Sequence, residues 1–237
     1  MYDKCAVILA GGKGTRLRPY TIAMPKPLVP VGDYPILEII IRQLSNKGFG
    51  RVIITVNHQA DLIKAYFGDG HKWGLSIEYS LEDKPLGTMG PLESLTNLPD
   101  NFIVMNGDIL TDLDYVALLD NHIKEKNIFT ISAHHREHNV DYGVLHLDRN
   151  SILTGFEEKP KLQYIVSMGI YAVSKNVLKY IPKDEYFGFD TLMLKLIESN
   201  EKVKVEVFSG YWLDIGRPED YQKATDDFDE KKGYFIG

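Results

Sequence analysis

The feature that most constrains the fold is a short apolar run, residues 5–10 (CAVILA), which ends in a glycine-rich loop. A continuous apolar run of this length, bounded by Gly11 and Gly12, is typical of a strand that is buried on both faces. Such strands occur in parallel sheets, where long crossover connections, usually helices, join one strand to the next. The start of the chain therefore predicts an α/β protein whose first strand leads into a loop of unusual backbone freedom.

The first 110 residues continue as an alternation of predicted strands and helices. The strands are predicted at 5–10, 51–56, 75–80 and 101–105, and the helices at 36–46, 60–67 and 90–98. This alternation indicates a Rossmann-like fold, with a mixed, mostly parallel sheet and helices on both faces. Ligands of such sheets bind at the carboxyl ends of the strands. The loops that follow residues 10 and 105 are therefore candidate binding segments.

The rest of the chain is less regular and contains no internal repeat or linker. Strands are predicted at 128–134, 143–147, 152–157, 165–173 and 203–208, and helices at 174–181, 191–199 and from 218 to about 228. We expect residues 1–237 to form a single domain.

Charge and hydropathy argue against several classes of function. The chain carries 27 Lys and Arg against 33 Asp and Glu, a net charge of −6. Broad binding to nucleic acid or to an anionic membrane needs a positive field, so neither partner is expected. No apolar run approaches the ~20 residues of a membrane span, and no signal-peptide pattern opens the sequence. With Cys5 as the single cysteine, these features predict a cytoplasmic protein without disulfides.

The loop after the first strand has the composition of a phosphate site. Three glycines within residues 11–14 allow backbone amides to approach an anion closely, and Lys13, Arg16 and Arg18 add positive charge. A P-loop is excluded because Lys13 is followed by Gly14 and not by Ser or Thr. The dinucleotide fingerprint is excluded because its third glycine would fall at Leu17. The loop predicts a triphosphate site of another type.

The pattern that fits is Gly12-x-Gly14-Thr15-Arg16, followed after eight residues by Pro25-Lys26. It resembles the signature of the sugar-1-phosphate nucleotidyltransferases, also called sugar-nucleotide pyrophosphorylases. Further segments that match this family occur in the family's order, at residues 85–90, 106–108, 142–144, 157–160 and 212–216. Within the family, the chain looks most like the mannose-1-phosphate and heptose-1-phosphate guanylyltransferases.

The resemblance implies a reaction in which an NTP and a sugar 1-phosphate give an NDP-sugar and pyrophosphate. The N-terminal half would bind the nucleotide, and the C-terminal half would bind the sugar phosphate. Arg16 and Lys26 would be the catalytic cations, Arg16 at the β- and γ-phosphates and Lys26 at the α-phosphate. The implied nucleotide-binding residues are Leu9, Ala10, Gly11, Gly12, Gly14, Thr15, Glu82, Gly87 and Thr88.

The resemblance also implies a set of contacts to the sugar phosphate. Lys159 would bind the phosphate, Glu157 would accept hydrogen bonds from sugar hydroxyls, and the backbone at Gly143 would lie against the sugar. Ser167 belongs to the same set. The family often has Asn-Ala-Gly where this chain has Ser167-Met168-Gly169, and this departure leaves the identity of the sugar open.

Asp108 and Asp214 are the predicted ligands of a magnesium ion. Each follows an apolar segment, so each carboxylate is expected at the edge of the sheet. A turn or a helix cap would account for either aspartate alone. Two carboxylates that converge on phosphates are the arrangement Mg²⁺ favours, and the family resemblance implies the same metal.

Glu82 occupies the position where the thymidylyl and uridylyl members of the family tend to have Gln. A carboxylate only accepts hydrogen bonds. Guanine offers two adjacent donors, whereas uracil offers one donor beside acceptors that would repel a carboxylate. Glu82 therefore favours GTP as the nucleotide.

Other interpretations remain open at this point. Uridylyl or thymidylyl transfer to glucose 1-phosphate or an amino-sugar 1-phosphate is the nearest alternative. A metal-dependent glycosyltransferase would use Asp112 and Asp114, which we interpret instead as helix-capping residues. A non-catalytic nucleotide-sugar-binding subunit is disfavoured because both cations and both metal aspartates are present. The histidines within 134–138 are interpreted as a solvated loop, and a homo-oligomer is compatible with the sequence.

Overall fold

The computed structural model describes residues 4–57 and 59–236. Its strands are β1 (Cys5–Leu9), β2 (Pro30–Val31), β3 (Tyr34–Pro35), β4 (Arg51–Val56), β5 (Ser76–Leu81), β6 (Asn101–Asn106), β7 (Ile109–Thr111), β8 (Phe129–Asn139), β9 (Val144–Leu147), β10 (Leu153–Glu157), β11 (Lys161–Ser174), β12 (Val203–Phe208) and β13 (Trp212–Asp214). Its α-helices are α1 (Ile36–Asn46), α2 (Ala60–Phe67), α3 (Tyr115–Glu125), α4 (Phe189–Glu198) and α5 (Pro218–Ile236).

Seven strands form one central sheet in the order β12-β8-β11-β6-β1-β4-β5. β1 pairs in parallel with β4 and β6, β4 with β5, and β12 with β8. Only β11 runs against its neighbours β6 and β8 within this sheet. The predicted mixed, mostly parallel α/β sheet is therefore confirmed.

Alternate residues of the first strand enter two different cores. Ala6 and Ile8 pack in a cluster with the buried residues of α1, α3 and α5. Cys5 and Val7 pack in a second cluster, on the other side of the sheet, with buried residues of α4. Because successive side chains of a strand point to opposite faces, this division shows helices on both faces of the sheet. It also explains why residues 5–8 are fully buried.

Two predicted helices are short 3₁₀ turns, and one helix was not predicted. Residues 90–98 form a 3₁₀ turn only over Gly90–Ser94, and the backbone is extended at Leu95. Residues 174–181 form a 3₁₀ turn over Lys175–Tyr180, and Ile181 is extended, as expected before Pro182. The unpredicted helix is α3.

α3 contains a fully buried histidine that makes stability depend on pH. The ring of His122 has no exposure, and its Nδ1 lies 2.8 Å from Thr130 Oγ1. Burial lowers the pKa of His122 to about 4. The unfolded chain takes up a proton near the ordinary pKa of ~6.5, whereas the folded chain resists protonation until about pH 4. The stability this group contributes is therefore present above pH 6.5 and is lost as the pH falls towards 4.

We expect the free energy of unfolding to fall by roughly 2–3 kcal/mol between pH 7.5 and 4.5 because of His122 alone. Urea unfolding at both pH values would measure this loss. The variant His122→Gln should show a shallower pH dependence by that amount. His71→Gln is the control, since His71 is 92% exposed, and it should keep the wild-type dependence. Parallel curves for His122→Gln and the wild type would contradict the assignment.

No helix in the described ranges combines the length and apolarity that crossing a membrane requires.

Candidate active site

A cleft of about 900 Å³ opens at the carboxyl ends of β1, β4, β5 and β6. All nine predicted nucleotide-binding residues line it, as do Arg16, Lys26 and Asp108. Lys13, Thr55, Asn57, Asn106, Tyr186 and Gly216 are among the other lining residues. The parallel direction of these four strands brings their C-terminal loops to one edge of the sheet, which is why residues far apart in sequence meet here.

The C-terminal end of the glycine loop is held in shape by several contacts. Gly14 has a φ of +61°, and its carbonyl accepts a hydrogen bond of 2.7 Å from Thr21 Oγ1. A Cβ at this position would lie 3.1 Å from Lys26 Cβ, so glycine is needed both for the backbone angle and for the space. Leu17 is buried and anchors the short 3₁₀ turn that carries Arg16. The arginine is thus presented from a fixed turn.

Lys26, Asp108 and Asp214 form the charged centre of the site. Lys26 Nζ makes an ion pair with Asp108 Oδ2, and both side chains are largely buried. Asp214 reaches this point because β13 pairs with β7, which sets Asp214 beside Ile109. Burial raises the pKa of Asp214, and the nearby charge of Asp108 raises it further. Lys26 and Arg16 act in the opposite direction on that pKa, so the other three predicted catalytic and metal residues all lie close enough to influence Asp214.

The two aspartates have donor atoms that suit a magnesium ion. Asp108 Oδ1 is buried and has no hydrogen-bond partner among the described residues. Among the same residues no group of three His, Cys, Asp or Glu side chains forms a complete metal cage. Mg²⁺ is commonly held by one or two carboxylates, with water and substrate phosphates as the remaining ligands. The pair therefore fits an ion that is shared with a phosphate substrate.

Glu82 lies at the opposite side of the cleft, directly after β5. A Cβ on Gly11 would lie 2.8 Å from Glu82 Oε1, so the loop backbone approaches the carboxylate closely. Burial raises the pKa of Glu82, and a hydrogen bond from the backbone of Leu86 opposes this effect. The carboxylate is thus a half-buried acceptor beside the glycine loop.

Gly87 and Thr88 join the cleft to the segment that leads into α4. Gly87 has a φ of +79°, and a Cβ there would lie 2.7 Å from the carbonyl oxygen of Phe187. The amide of Phe189 donates a 2.9 Å hydrogen bond to Thr88 Oγ1. This part of the cleft wall is therefore tied to residues 187–189.

A second cavity of about 330 Å³ adjoins the cleft and shares Asn106 with it. Its walls include Asp214 and the predicted sugar-site residue Ser167, together with Arg136, Tyr171, Phe189 and Trp212. Trp212 Nε1 donates to the carbonyl of Met168 at 3.0 Å, which fixes one wall. The two cavities meet at Asn106 and the neighbouring aspartates.

The other three predicted sugar-site residues lie outside the walls of both cavities. Gly143, Glu157 and Lys159 belong to the exposed region around β9 and β10. Glu157 Oε1 lies 2.9 Å from His146 Nε2, and a Cβ on Gly143 would collide with the ring of Phe156 at 2.6 Å. Their roles towards the sugar phosphate remain predictions from the resemblance.

Thr55 and Asn57 are cleft residues that were not predicted from the sequence. Thr55 lies near the C-terminal end of β4, and Asn57 follows that strand much as Gly11 follows β1. The rule that ligands bind at the ends of parallel strands could have found them. Arg136 of the second cavity carried no such signal, because it lies far along the extended strand β8.

Two signals that the sequence analysis set aside have structural roles. Asp114 is the N-cap of α3 and accepts hydrogen bonds from the amides of Val116 and Ala117. Asp112 Oδ1 accepts from the amide of Tyr211 at 2.8 Å. The capping role predicted for Asp114 is confirmed, whereas Asp112 supports a loop and caps no helix. The histidines at 134–138 lie on β8 and not in a loop, so the predicted loop is wrong.

Comparisons with known proteins agree with this geometry. A family model described as nucleotidyl transferase matches residues 5–231. The D-glycero-alpha-D-manno-heptose 1-phosphate guanylyltransferase of Campylobacter jejuni is 36% identical over 91% of this chain and 96% of its own length. The UTP–glucose-1-phosphate uridylyltransferase of Synechocystis sp. is 35% identical over 92% of this chain. The matched region covers 62% of the length of that protein.

Among solved structures, HddC from Yersinia pseudotuberculosis, complexed with GMP-PN, superposes with a TM-score of 0.73 at 30% identity. The superposition covers 95% of this chain and 99% of HddC. With a family match over almost the whole described sequence and relatives of this similarity, the chain belongs to the nucleotidyl transferase family, which the sequence motifs predicted.

Proposed function

We propose that this protein transfers a guanylyl group from GTP to a hexose or heptose 1-phosphate, releasing pyrophosphate. The observation that carries the proposal is the convergence of Arg16, Lys26, Asp108 and Asp214 where the two cavities meet. Family membership supports sugar-1-phosphate nucleotidyl transfer as the class of reaction. The choice of GTP rests on Glu82, and the Yersinia relative complexed with GMP-PN supports it.

The proposed chemistry is a direct displacement at the α-phosphorus. An oxygen of the acceptor phosphate forms a bond to the α-phosphorus, and the bond from that phosphorus to the bridging oxygen of the β-phosphate breaks. Pyrophosphate leaves with the electron pair. A sugar phosphate has its second pKa near 6, so it is largely dianionic at neutral pH and needs no general base. Catalysis then depends on positioning and on charge stabilisation.

Lys26 and Arg16 supply the positive charge that this displacement requires. Lys26, held at the sheet edge by Asp108, would neutralise the α-phosphate as the two anions approach. Arg16 would bind the β- and γ-phosphates, since its fork of donors suits bidentate contact with phosphate oxygens. Fixed charges in a partly buried site stabilise the transition state without reorganisation.

Asp108 and Asp214 would hold the magnesium ion. When bound, Mg²⁺ would offset the negative charge of the phosphates and of the leaving pyrophosphate. The buried, unpartnered Oδ1 of Asp108 supports this assignment. The aspartates would fix the position of the ion relative to Lys26, because both belong to strands or strand ends of the sheet edge.

Glu82→Gln is expected to shift the nucleotide preference from GTP towards UTP and dTTP. An amide can both donate and accept, so it can pair with a uracil-type edge that repels a carboxylate. The ratio of kcat/KM for GTP to that for UTP should fall by about 10- to 100-fold. Release of pyrophosphate from GTP, UTP, dTTP, CTP and ATP would measure this ratio.

Asp83→Asn is the matched control, because Asp83 also lines the cleft next to Glu82. It should keep the wild-type preference. An equal shift in both variants would assign the effect to the charge of the cleft and not to base recognition. A wild-type preference for UTP or dTTP would overturn the choice of base while leaving the reaction class intact.

The reaction class has its own test in the same assay. Purified protein supplied with Mg²⁺, GTP and a panel of hexose and heptose 1-phosphates should release pyrophosphate only when an acceptor is present. Transfer of sugar from an NDP-sugar to another acceptor, without pyrophosphate, would support the glycosyltransferase alternative. Binding of NDP-sugars without turnover of any nucleotide would support the regulatory alternative.

A further inference from the structure

Tyr186 is the only aromatic residue among the described residues that line the large cleft. It is 73% exposed. Single exposed apolar side chains are common on protein surfaces, and exposure by itself needs no explanation. Tyr186 differs from such residues because it lines a concave site and because the chain that follows it is held in place by several contacts.

Phe187 fixes the backbone next to Tyr186. The amide of Phe187 donates a 2.8 Å hydrogen bond to the carbonyl of Leu86. The carbonyl of Phe187 accepts two hydrogen bonds of 3.0 Å, from the amides of Met89 and Gly90. The ring of Phe187 is buried in the core cluster that contains residues of α4. Tyr186 is therefore presented to the cleft from a fixed segment and not from a free loop.

The same hydrogen bonds connect Tyr186 to Glu82. The Glu82 carboxylate accepts a hydrogen bond from the amide of Leu86, and the carbonyl of Leu86 accepts one from the amide of Phe187. This path consists of two hydrogen bonds and one residue, so its ends are at most about 10 Å apart. A base whose edge is bonded to Glu82 is therefore within reach of the Tyr186 ring.

We propose that the ring of Tyr186 stacks on the face of the nucleotide base, while Glu82 bonds to the edge of the base. Every nucleobase offers a flat π face, and a tyrosine ring covers such a face at a low cost in conformational freedom. The other apolar side chains that line the cleft, among the described residues, are aliphatic. Tyr186 is thus the one ring that this part of the chain offers to a base.

This inference rests on the proposed function in one respect, which is that a nucleotide occupies the cleft. It does not depend on which nucleotide binds, because stacking tolerates any base. Tyr186 therefore adds affinity, whereas the choice among bases stays with Glu82. The base lies away from the reacting phosphorus, so the contact is the same in the ground state and in the transition state. Tyr186→Ala should accordingly raise KM for the nucleotide and leave kcat nearly unchanged.

The direct test is the affinity of a nucleotide compared with that of a ligand without a base. Tyr186→Ala is expected to raise the dissociation constant of GTP on the order of 10-fold, measured by titration calorimetry at a fixed Mg²⁺ concentration. Inorganic tripolyphosphate has three phosphates and no base, so the variant and the wild type should bind it equally well. Tyr186→Phe should keep the wild-type affinity for GTP, because stacking needs the ring and not the hydroxyl.

Tyr234→Ala is the matched control. Tyr234 is 74% exposed but is not among the residues that line the cleft, so its removal should leave both dissociation constants unchanged. If the wild type binds another NTP more tightly than GTP, that NTP replaces GTP in the titrations. An error in the choice of base therefore leaves this test intact.

Three results would overturn the stacking role of Tyr186 without affecting the proposed function. One is a dissociation constant for the nucleotide that is unchanged in Tyr186→Ala. Another is an equal loss of affinity for the nucleotide and for tripolyphosphate, which would mean that the residue acts on the shape of the cleft. The third is an equal loss in Tyr186→Phe and Tyr186→Ala, which would assign the effect to the hydroxyl. If the wild type binds none of GTP, UTP, dTTP, CTP and ATP, the proposed function and this inference fail together.

Tyr186→Trp gives a readout that does not depend on affinity. A base that stacks on an indole ring quenches its fluorescence, so saturating nucleotide should quench this variant more strongly than the wild type, whose tryptophans are Trp73 and Trp212. Saturating tripolyphosphate should cause no such difference between the two proteins. Equal quenching of the variant and the wild type by the nucleotide would contradict the stacking contact.

Discussion

Asp108→Asn and Asp214→Asn are each expected to lower kcat/KM for NDP-sugar formation by about 10³-fold or more. Each substitution keeps the shape of the side chain but removes the negative charge that a magnesium ion needs. Asp108→Asn also removes the partner of Lys26, which leaves a largely buried ammonium without its ion pair. Steady-state pyrophosphate release at saturating Mg²⁺ would measure the loss, and thermal unfolding would show that the variants are folded.

Asp114→Asn is the control for this experiment. Asp114 is the N-cap of α3, and asparagine is an equally good N-cap. The variant should therefore keep most of its activity. The glycosyltransferase alternative predicts the reverse order, with severe loss at Asp114 and mild loss at Asp108 and Asp214. Full activity in either Asp108→Asn or Asp214→Asn would remove that residue from the metal site.

Arg16→Ala is expected to lower kcat/KM by about 10²- to 10³-fold, through weaker binding of the triphosphate and weaker stabilisation of the leaving pyrophosphate. Arg18→Ala is the matched control, because Arg18 is also exposed in the same loop but is not among the residues that line the cleft. Arg18→Ala should change kcat/KM by no more than a few fold. The same assay with GTP varied at fixed acceptor would separate the effect on KM from that on kcat.

Equal losses in the two arginine variants would show that the loop acts through its general charge. Loss in neither variant would remove Arg16 from the phosphate site. Thermal shift with GTP provides an independent readout, since only Arg16→Ala should reduce the stabilisation that the nucleotide confers.

The N-terminal half was the more predictable part of the fold, and there is a physical reason. Strands β1, β4 and β6 are short apolar runs bounded by glycine or polar residues, and β5 alternates polar and apolar residues, so these strands are marked in the sequence. Parallel strands bring such ends to one edge. Local sequence was therefore enough to place the glycine loop and Asp108 at one edge of the sheet, whereas Glu82 was assigned through the family resemblance.

The C-terminal half depends on contacts that local sequence does not encode. Asp214 reaches Asp108 only because β13 pairs with β7, across more than a hundred residues of chain. The strands β8 and β11 extend well beyond their apolar cores, since residues 135–139 and 161–165 pair with each other while staying exposed. Hydrophobic patterns mark burial, so paired but unburied segments escaped prediction. α3 escaped in part because its sequence mixes apolar and charged residues with a buried His122.

The hydrogen bond from the amide of Phe189 to Thr88 Oγ1 links the wall of the cleft to the wall of the second cavity. Thr88 faces the nucleotide cleft and Phe189 faces the smaller cavity. When a ligand bound in one cavity changes the affinity of the other cavity for its ligand, the second ligand changes the affinity for the first by the same factor. The dissociation constant of the nucleotide, measured with and without the sugar phosphate, thus gives the size of this coupling. Thr88→Val removes the acceptor oxygen and is expected to weaken this coupling without changing the charged centre.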